Sequence, residues 1–289
     1  SSFGDFTFGQ NTSDYYNNNL LLPFFNYYLK GIGQLNLPET AIFRTGSNQW
    51  IQYNEWPPKN VEKKSLYFSA NKILSWDKPT NRKNLFDEYL SDPTKPVPYT
   101  GKFHDSGLHY YRTYMDEDQR FASARPDVLV YETEPLEEDV TVSGPIKANL
   151  FVSTTGTDAD WVVKLIDVLP DDAKDPDPNP NNVEMGGYQR LLRYEIMRGK
   201  FRNSYEKPEP FVPNKIAEVK IKLNDIDHTF LKGHKIMVQV QSSFFPFFDR
   251  NPQKYINIYN AKKDDFQKAY NRVYFSKKYP SNIQLNISK

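Results

Sequence analysis

The chain has 289 residues, 38% of them apolar and 25% charged, which is enough for a sizeable core and argues against wholesale disorder. Thirty-seven Lys and Arg against 36 Asp and Glu leave a formal charge of +1, so a nucleic-acid binder is not expected, and no apolar run is long enough to cross a membrane. The absence of cysteine excludes disulfides, thiolate metal ligands and a cysteine nucleophile.

Aromatic side chains, at 15%, suit the half-buried faces of sheets, and 21 prolines divide the chain into short segments. No signal-peptide pattern opens the sequence. The first element reads as a helix. Tyr15, Leu20, Leu21, Phe24, Phe25, Tyr28 and Leu29 recur near the 3.6-residue period, Ser13 or Asp14 can cap its start, and Gly31 can stop it. Pro23 either kinks this helix or begins its regular part. Its wide apolar face has little helical sequence downstream to pack against.

After Pro38 the period changes to two. Ala41–Phe43, Ser65–Ser69, Val128–Tyr131, the alternating Ile146 to Val152 and the nearly continuous apolar run Trp161 to Val168 read as strands. Val219, Ile221 and Leu223 alternate with lysines, and Ile236, Val238 and Val240 repeat the pattern. The stretches 77–119 and 170–187 are polar or proline-rich and read as loops. Many short strands and few helices indicate an all-β sandwich.

Chemical motifs are sparse. An α/β-hydrolase nucleophile needs G-x-S-x-G at a strand-to-helix turn, and none occurs. His228 and His234 read as turn or surface residues, and His104 and His109 as members of an aromatic loop, none of them catalytic. Asp175 to Asn181 alternates oxygen ligands like the start of a calcium loop but lacks the required Gly and Glu, so it reads as a solvated loop and no metal or cofactor is expected. Asp116–Asp118 reads as a wet acidic loop. Trp161 is expected in the core. Trp50 and Trp56 are expected in core or interdomain packing, the other possibility being a platform for sugar rings.

Several motifs carry a resemblance. They are Asp158-Ala-Asp160-Trp161 through Val168, Met185-Gly-Gly-Tyr188-Gln189, Ile196-Met-Arg198-Gly-Lys-Phe201-Arg202, Glu206 to Pro213, Phe230 to Ser243, and Phe247-Phe-Asp249-Arg250-Asn251-Pro252. Asp118-Gln-Arg120-Phe121 and Arg125-Pro-Asp127 fit the same set. Together they resemble the C-terminal part of the α-amino acid ester hydrolases and glutaryl 7-aminocephalosporanic acid acylase-like proteins, and more loosely the cocaine esterase and X-prolyl dipeptidyl peptidase group.

The resemblance implies a mainly β chain, a jelly-roll β-sandwich of the galactose-binding-like kind over residues 39–289. Residues 1–38 would be a helical remnant of an α/β-hydrolase domain. The triad residues of such hydrolases have no matching position here, so no catalytic residue is assigned and the chain alone is expected to be inactive. Its expected partners are the upstream hydrolase and cap domains of one parent chain, together with the parent's small acyl substrate. Self-association through the exposed helix face is a further expectation. The aromatic residues Trp50, Trp56, Tyr110, Tyr111 and Tyr114 are expected to wall the parent's substrate cleft, with a carbohydrate-binding sandwich as the alternative function. Asp158, Asp160, Arg125, Asp127, Asp249 and Arg250 are expected to pin loops structurally, because charges beside a sandwich need partners.

Overall fold

The structure, a computed structural model, describes residues 1–101 and 114–288. A small hairpin of β1 (Ser2–Phe3) and β2 (Phe6–Thr7) opens the chain. Helix α1 (Thr12–Tyr16) follows, and its cap is Asn11, two residues before Ser13 and three before Asp14, the caps suggested by the sequence; the Asn11 side-chain oxygen accepts the Asp14 N–H at 3.3 Å. Residues 17–21 widen into a π-turn before α2 (Leu22–Lys30). Pro23 explains the interruption, since it has no N–H to donate to the carbonyl of residue 19 and its ring crowds that carbonyl. Gly31 ends α2 in the left-handed region at φ +64°, where a side chain would be strained.

A second hairpin joins β3 (Thr40–Arg44) and β4 (Gln49–Tyr53). The remaining elements are β5 (Val61–Phe68), β6 (Leu74–Ser75), β7 (Phe86–Ser91), α3 (Arg120–Ser123), β8 (Leu129–Glu132), β9 (Val140–Thr154), β10 (Asp160–Val168), β11 (Gln189–Arg198), β12 (Ala217–Phe230), β13 (Lys235–Gln241), β14 (Ala269–Tyr274) and β15 (Asn282–Ser288). Four of these strands form one sheet in the order β11-β10-β13-β8. The larger sheet is built around β9, with β12 on one side and β15 and β14 sharing the other; β5 and β6 extend beyond β15, and β7 beyond β14. The named strands pair antiparallel throughout.

The main core lies between the two sheets. Trp161, Val163 and Leu165 of β10 and Ile236, Val238 and Val240 of β13 meet Ile146, Ala148, Leu150 and Val152 of β9, Val219, Ile221 and Leu223 of β12, and Ile283 and Leu285 of β15. Trp161 is fully buried, as its sequence context indicates. The chain is therefore a mainly β sandwich with a small helical part, in agreement with the sequence. One loop assignment needs correction: β7 lies inside 77–119. Its pattern is inverted, with Phe86 and Leu90 exposed while Tyr89 and Ser91 are buried, so the usual apolar-in alternation is missing.

The β3–β4 hairpin is locked onto β12. Thr45 N–H donates to the Asp227 carbonyl at 3.2 Å, and Thr229 N–H donates to the Thr45 carbonyl at 2.9 Å. Gly46 sits at φ +86°, and a Cβ there would stand 1.9 Å from the Thr229 carbonyl oxygen. The buried Asp227 carboxylate accepts from Arg44 Nε at 2.8 Å, Tyr53 OH at 2.6 Å and Ser143 Oγ at 2.9 Å. We expect Asp227→Ala to lower the unfolding free energy by about 3–5 kcal/mol, because it strands a half-buried guanidinium. Loss of the exposed Lys59–Glu55 pair through Lys59→Ala is expected to cost less than about 1 kcal/mol. Urea unfolding followed by tryptophan fluorescence measures both.

Candidate functional site

Strand β10 is buried along its whole length, so the outer face of the four-stranded sheet is covered as well as the inner one. The cover is aromatic: Tyr99, Tyr114 and Phe244 pack on Val162, with Tyr194 and Phe247 at the margin. Beside this cover, a groove of about 660 Å³ runs along the edge strand β11. Arg190 to Glu195 line one side, Asn224 and Ile226 of β12 and Thr45 another, and Phe3, Phe8, Met115 and Phe248 the remainder. The volume suits a small ligand or a few side chains of a partner.

Tyr114 stands at the junction of cover and groove. Its ring contacts Tyr99, Phe244 and Phe247, and its hydroxyl lies 2.7 Å from that of Tyr194. Beneath the cover, Lys164 is fully buried. Its Nζ donates to Gln119 Oε1 at 2.9 Å and lies 5.0 Å from the Phe244 ring centroid. Burial pushes its pKa down to about 7, only partly opposed by the Glu117 carboxylate. Glu117 in turn accepts the Gly101 N–H at 3.0 Å, so this buried polar set ties residues 101 and 117–119 to β10.

On the inner face of β10, Asp167 joins two imidazoles. His228 Nε2–H donates to Oδ2 at 3.2 Å and His234 Nδ1–H to Oδ1 at 2.7 Å. The Thr45 hydroxyl closes the chain by donating to His228 Nδ1 at 2.8 Å. Burial acts to raise the Asp167 pKa, but the imidazole donors outweigh it and hold the carboxyl near 2. A hydroxyl–imidazole–carboxylate series has the composition of an acyl-transfer relay. Its environment makes it a poor one, because His228 is completely buried and burial lowers its basicity, so an imidazolium would form without water. The series instead ties β3–β4, β12, β10 and the turn before β13 together. The placement of His228 at a turn or surface needs correction, because it lies in the core at 0% exposure. His104 and His109 lie outside the described residues.

Two of the expected loop-pinning ion pairs are present, whereas the Asp158 carboxylate accepts backbone N–H groups of Ala159 and Lys200 and Asp249 contributes only its backbone carbonyl, to Arg198. Arg125 Nε meets Asp127 at 2.8 Å, and Asp160 is held by Arg198 at 3.2 Å and by Asn251 Nδ2 at 2.7 Å. Arg250 donates to the Pro93 carbonyl at 2.9 Å. Burial, reinforced by the neighbouring Asp160, raises the Asp158 pKa to about 6.

Of the expected wall residues, Trp50, Trp56 and Tyr114 lie within the described residues, and only Tyr114 borders the groove. Trp50 stacks on Tyr15 of α1 with ring centroids 4.5 Å apart and lies edge-on to Phe43. Trp56 donates from Nε1 to Asp225 Oδ2 at 2.9 Å and packs against Tyr53. Both indoles are half-buried packing groups of the β3–β4 region and not parallel open platforms. Tyr114 borders the groove, whereas Tyr110 and Tyr111 lie outside the described residues. Sequence reasoning missed Phe3, Phe8, Arg190 and Phe248, whose convergence depends on tertiary folding.

Fold and site define a non-catalytic β-sandwich of the hydrolases. The chain belongs to the X-Pro dipeptidyl-peptidase C-terminal non-catalytic domain family, whose pattern matches residues 34–284. It is 31% identical over 275 residues to the cocaine esterase of Rhodococcus sp. (strain MB1 Bresler), covering 92% of this chain and 45% of that protein. An aminopeptidase from a marine sediment archaeon, Thaumarchaeota archaeon, superposes over 100% of this chain and 47% of its own with a TM-score of 0.93 and 41% identity. An α-amino acid ester hydrolase gives the same TM-score of 0.93 with 40% identity, over 99% of this chain and 47% of that one. The chain thus spans just under half the length of these relatives.

Two of the three buried charges of β10 impose opposite pH dependences. Asp167 titrates lower in the fold, near 2, than in an unfolded chain at about 3.9, so its stabilisation is present above about pH 4 and lost as pH falls toward 2. Lys164 titrates near 7 in the fold against about 10.4 unfolded, so its burial penalty is full below pH 7 and is relieved as pH rises toward 10. In chemical denaturation across pH, the destabilisation by Asp167→Asn is expected to shrink below pH 4. Lys164→Met is expected to lose stability relative to the wild type between pH 7 and 10.

Proposed function

We propose that this chain is the C-terminal portion of a serine esterase or acylase that acts on α-amino acid esters or β-lactam amides. Residues 1–38 are its share of an α/β-hydrolase domain, and residues 39–289 are a jelly-roll accessory domain. The parent's Ser-His-Asp machinery lies upstream, and the groove beside β11, with Tyr114, Met115 and Phe248 along it, walls the acyl-binding cleft and keeps water from it.

The observation that carries this proposal is the apolar helical segment. Leu22, Phe25, Tyr28, Leu29 and Ile32 are each at least 45% exposed, a larger apolar face than a solvated helix normally shows. Trp50 fixes the start of that segment through its stack on Tyr15, so the sandwich holds the helix while the helix presents its outer face to the rest of the parent. The likeness to the α-amino acid ester hydrolase extends over 99% of the chain, helical segment included, which supports assigning the exposed face to an intramolecular interface.

Two measurements test the proposal. The purified chain is expected to give no turnover of glycine or phenylglycine methyl ester; turnover abolished by a serine-directed inhibitor would refute it. In the full-length parent, Tyr114→Ala or Phe248→Ala is expected to lower kcat/KM by about tenfold, equivalent to about 1.4 kcal/mol of transition-state stabilisation. Unchanged kinetics in both variants would place the groove away from the acyl site.

A further inference from the structure

Arg190 is the charged group whose position the packing leaves unexplained. It is 9% exposed, yet among the described residues no carboxylate lies within 4 Å of its guanidinium and no hydrogen bond reaches it. Arg44, Arg120, Arg125, Arg198, Arg202 and Arg272, by contrast, each meet a carboxylate. Arg193, three residues along, spends its donors on the carbonyls of Asp225 and Leu192. The charge acting on Arg190 from the inner face is Asp167, both of whose oxygens are already taken by imidazoles.

The guanidinium nitrogens are not among the enclosed atoms that lack a partner, so they keep access to solvent, and their five N–H donors form a rigid fork suited to a carboxylate. Phe6 holds the plane, with the guanidinium carbon 4.2 Å from its ring centroid, so one face is occupied by a ring while the donors at the edge remain unbonded. Arg190 borders the groove, where Phe3, Phe8, Leu192 and Phe248 supply an apolar surface beside the polar Thr45, Arg193 and Asn224. Glu195 lines the same groove with one oxygen fixed by the Ile196 N–H at 2.8 Å, and its negative charge disfavours a dianion such as phosphate.

We propose that Arg190 and this groove form a binding site for a free monocarboxylate bearing an aryl or branched apolar tail, with the carboxylate on the Arg190 fork and the tail against Phe3, Phe8 and Phe248. The site is a property of this chain and does not depend on the groove facing an active centre.

Isothermal titration of the 289-residue chain with phenylacetate and with its neutral isostere phenylacetamide tests this. Phenylacetate is expected to saturate and to bind at least about tenfold more tightly than the amide, as a charge-assisted pair requires. Arg190→Gln should abolish that preference, Arg190→Lys should retain part of it, and Phe248→Ala should weaken both probes alike. Equal affinities for the two probes, no saturable binding of phenylacetate, or a preference that survives Arg190→Gln would overturn the proposal. If Arg190→Gln does not fold, the two-probe comparison on the unsubstituted chain decides the matter by itself.

Discussion

Everything around the groove follows from the double-sided burial of one strand that carries charge. Strand β10 is covered on both faces, and yet Asp160, Lys164 and Asp167 lie within it. A charge in that position must be hydrogen-bonded or it destabilises the fold by several kcal/mol. Each of the three therefore recruits a distant segment. Asp160 draws in Arg198 and Asn251, Lys164 draws in Gln119, and Asp167 draws in His228 and His234. These recruited segments are the ones that cover the sheet and border the groove. The polar groups of β10 specify which loops pack where, and the surrounding apolar cores supply most of the stabilisation.

The same principle separates what was legible in the sequence from what was not. Val219, Ile221 and Leu223 alternate with exposed lysines because one face of β12 meets the core and the other meets water, and a period-two signal survives translation into structure. Strand β7 has no such signal because its buried positions hold Tyr89 and Ser91 while Phe86 and Leu90 face out. Strand β11 has none because half-buried residues occupy both of its faces beside the groove. The His228–Asp167–His234 series escaped notice because Asp167 is more than 60 residues from either histidine and each residue is unremarkable alone. Asp167 was nonetheless a readable warning, since an aspartate in an otherwise apolar strand demands donors, and the two nearby histidines were the available ones. The groove was the least legible feature. It gathers positions 3, 8, 45, 114, 190–195, 224, 226 and 248, and no local pattern encodes that convergence.

Strand β11 also shows how the groove can stay open without inviting aggregation. It pairs with β10 on one side only, so its other edge would be a template for another strand. Side chains occupy that edge. Glu195 accepts the Ile196 N–H at 2.8 Å, Arg193 donates to the Leu192 carbonyl at 2.7 Å, and the same guanidinium reaches the Asp225 carbonyl of β12 at 2.8 Å. Two of the backbone groups along that edge, the Leu192 carbonyl and the Ile196 N–H, are therefore already bonded. Recognition in the groove then falls to side chains and shape, not to strand addition, which favours a compact ligand or a partner's side chains.

The N-terminal segment is held to the sandwich by contacts of a different kind. Phe8 meets Phe43 at 4.9 Å, Phe6 meets Tyr188 at 5.1 Å, and Tyr15 stacks on Trp50, so residues 1–16 are anchored by rings and not by strand pairing with the sheets. A few side-chain hydrogen bonds supplement the rings: Gln10 donates to the Asn48 carbonyl at 2.7 Å, and Tyr188 donates to Asp5 at 3.1 Å. A helix attached in this way can carry an apolar outer face into contact with another domain without distorting the sandwich behind it. The aromatic richness that first pointed to sheets thus has a second structural use here. In addition to filling the sheet faces, the rings form the joint between the sandwich and the segment beside it, and one of them, Phe8, lines the groove together with Phe3.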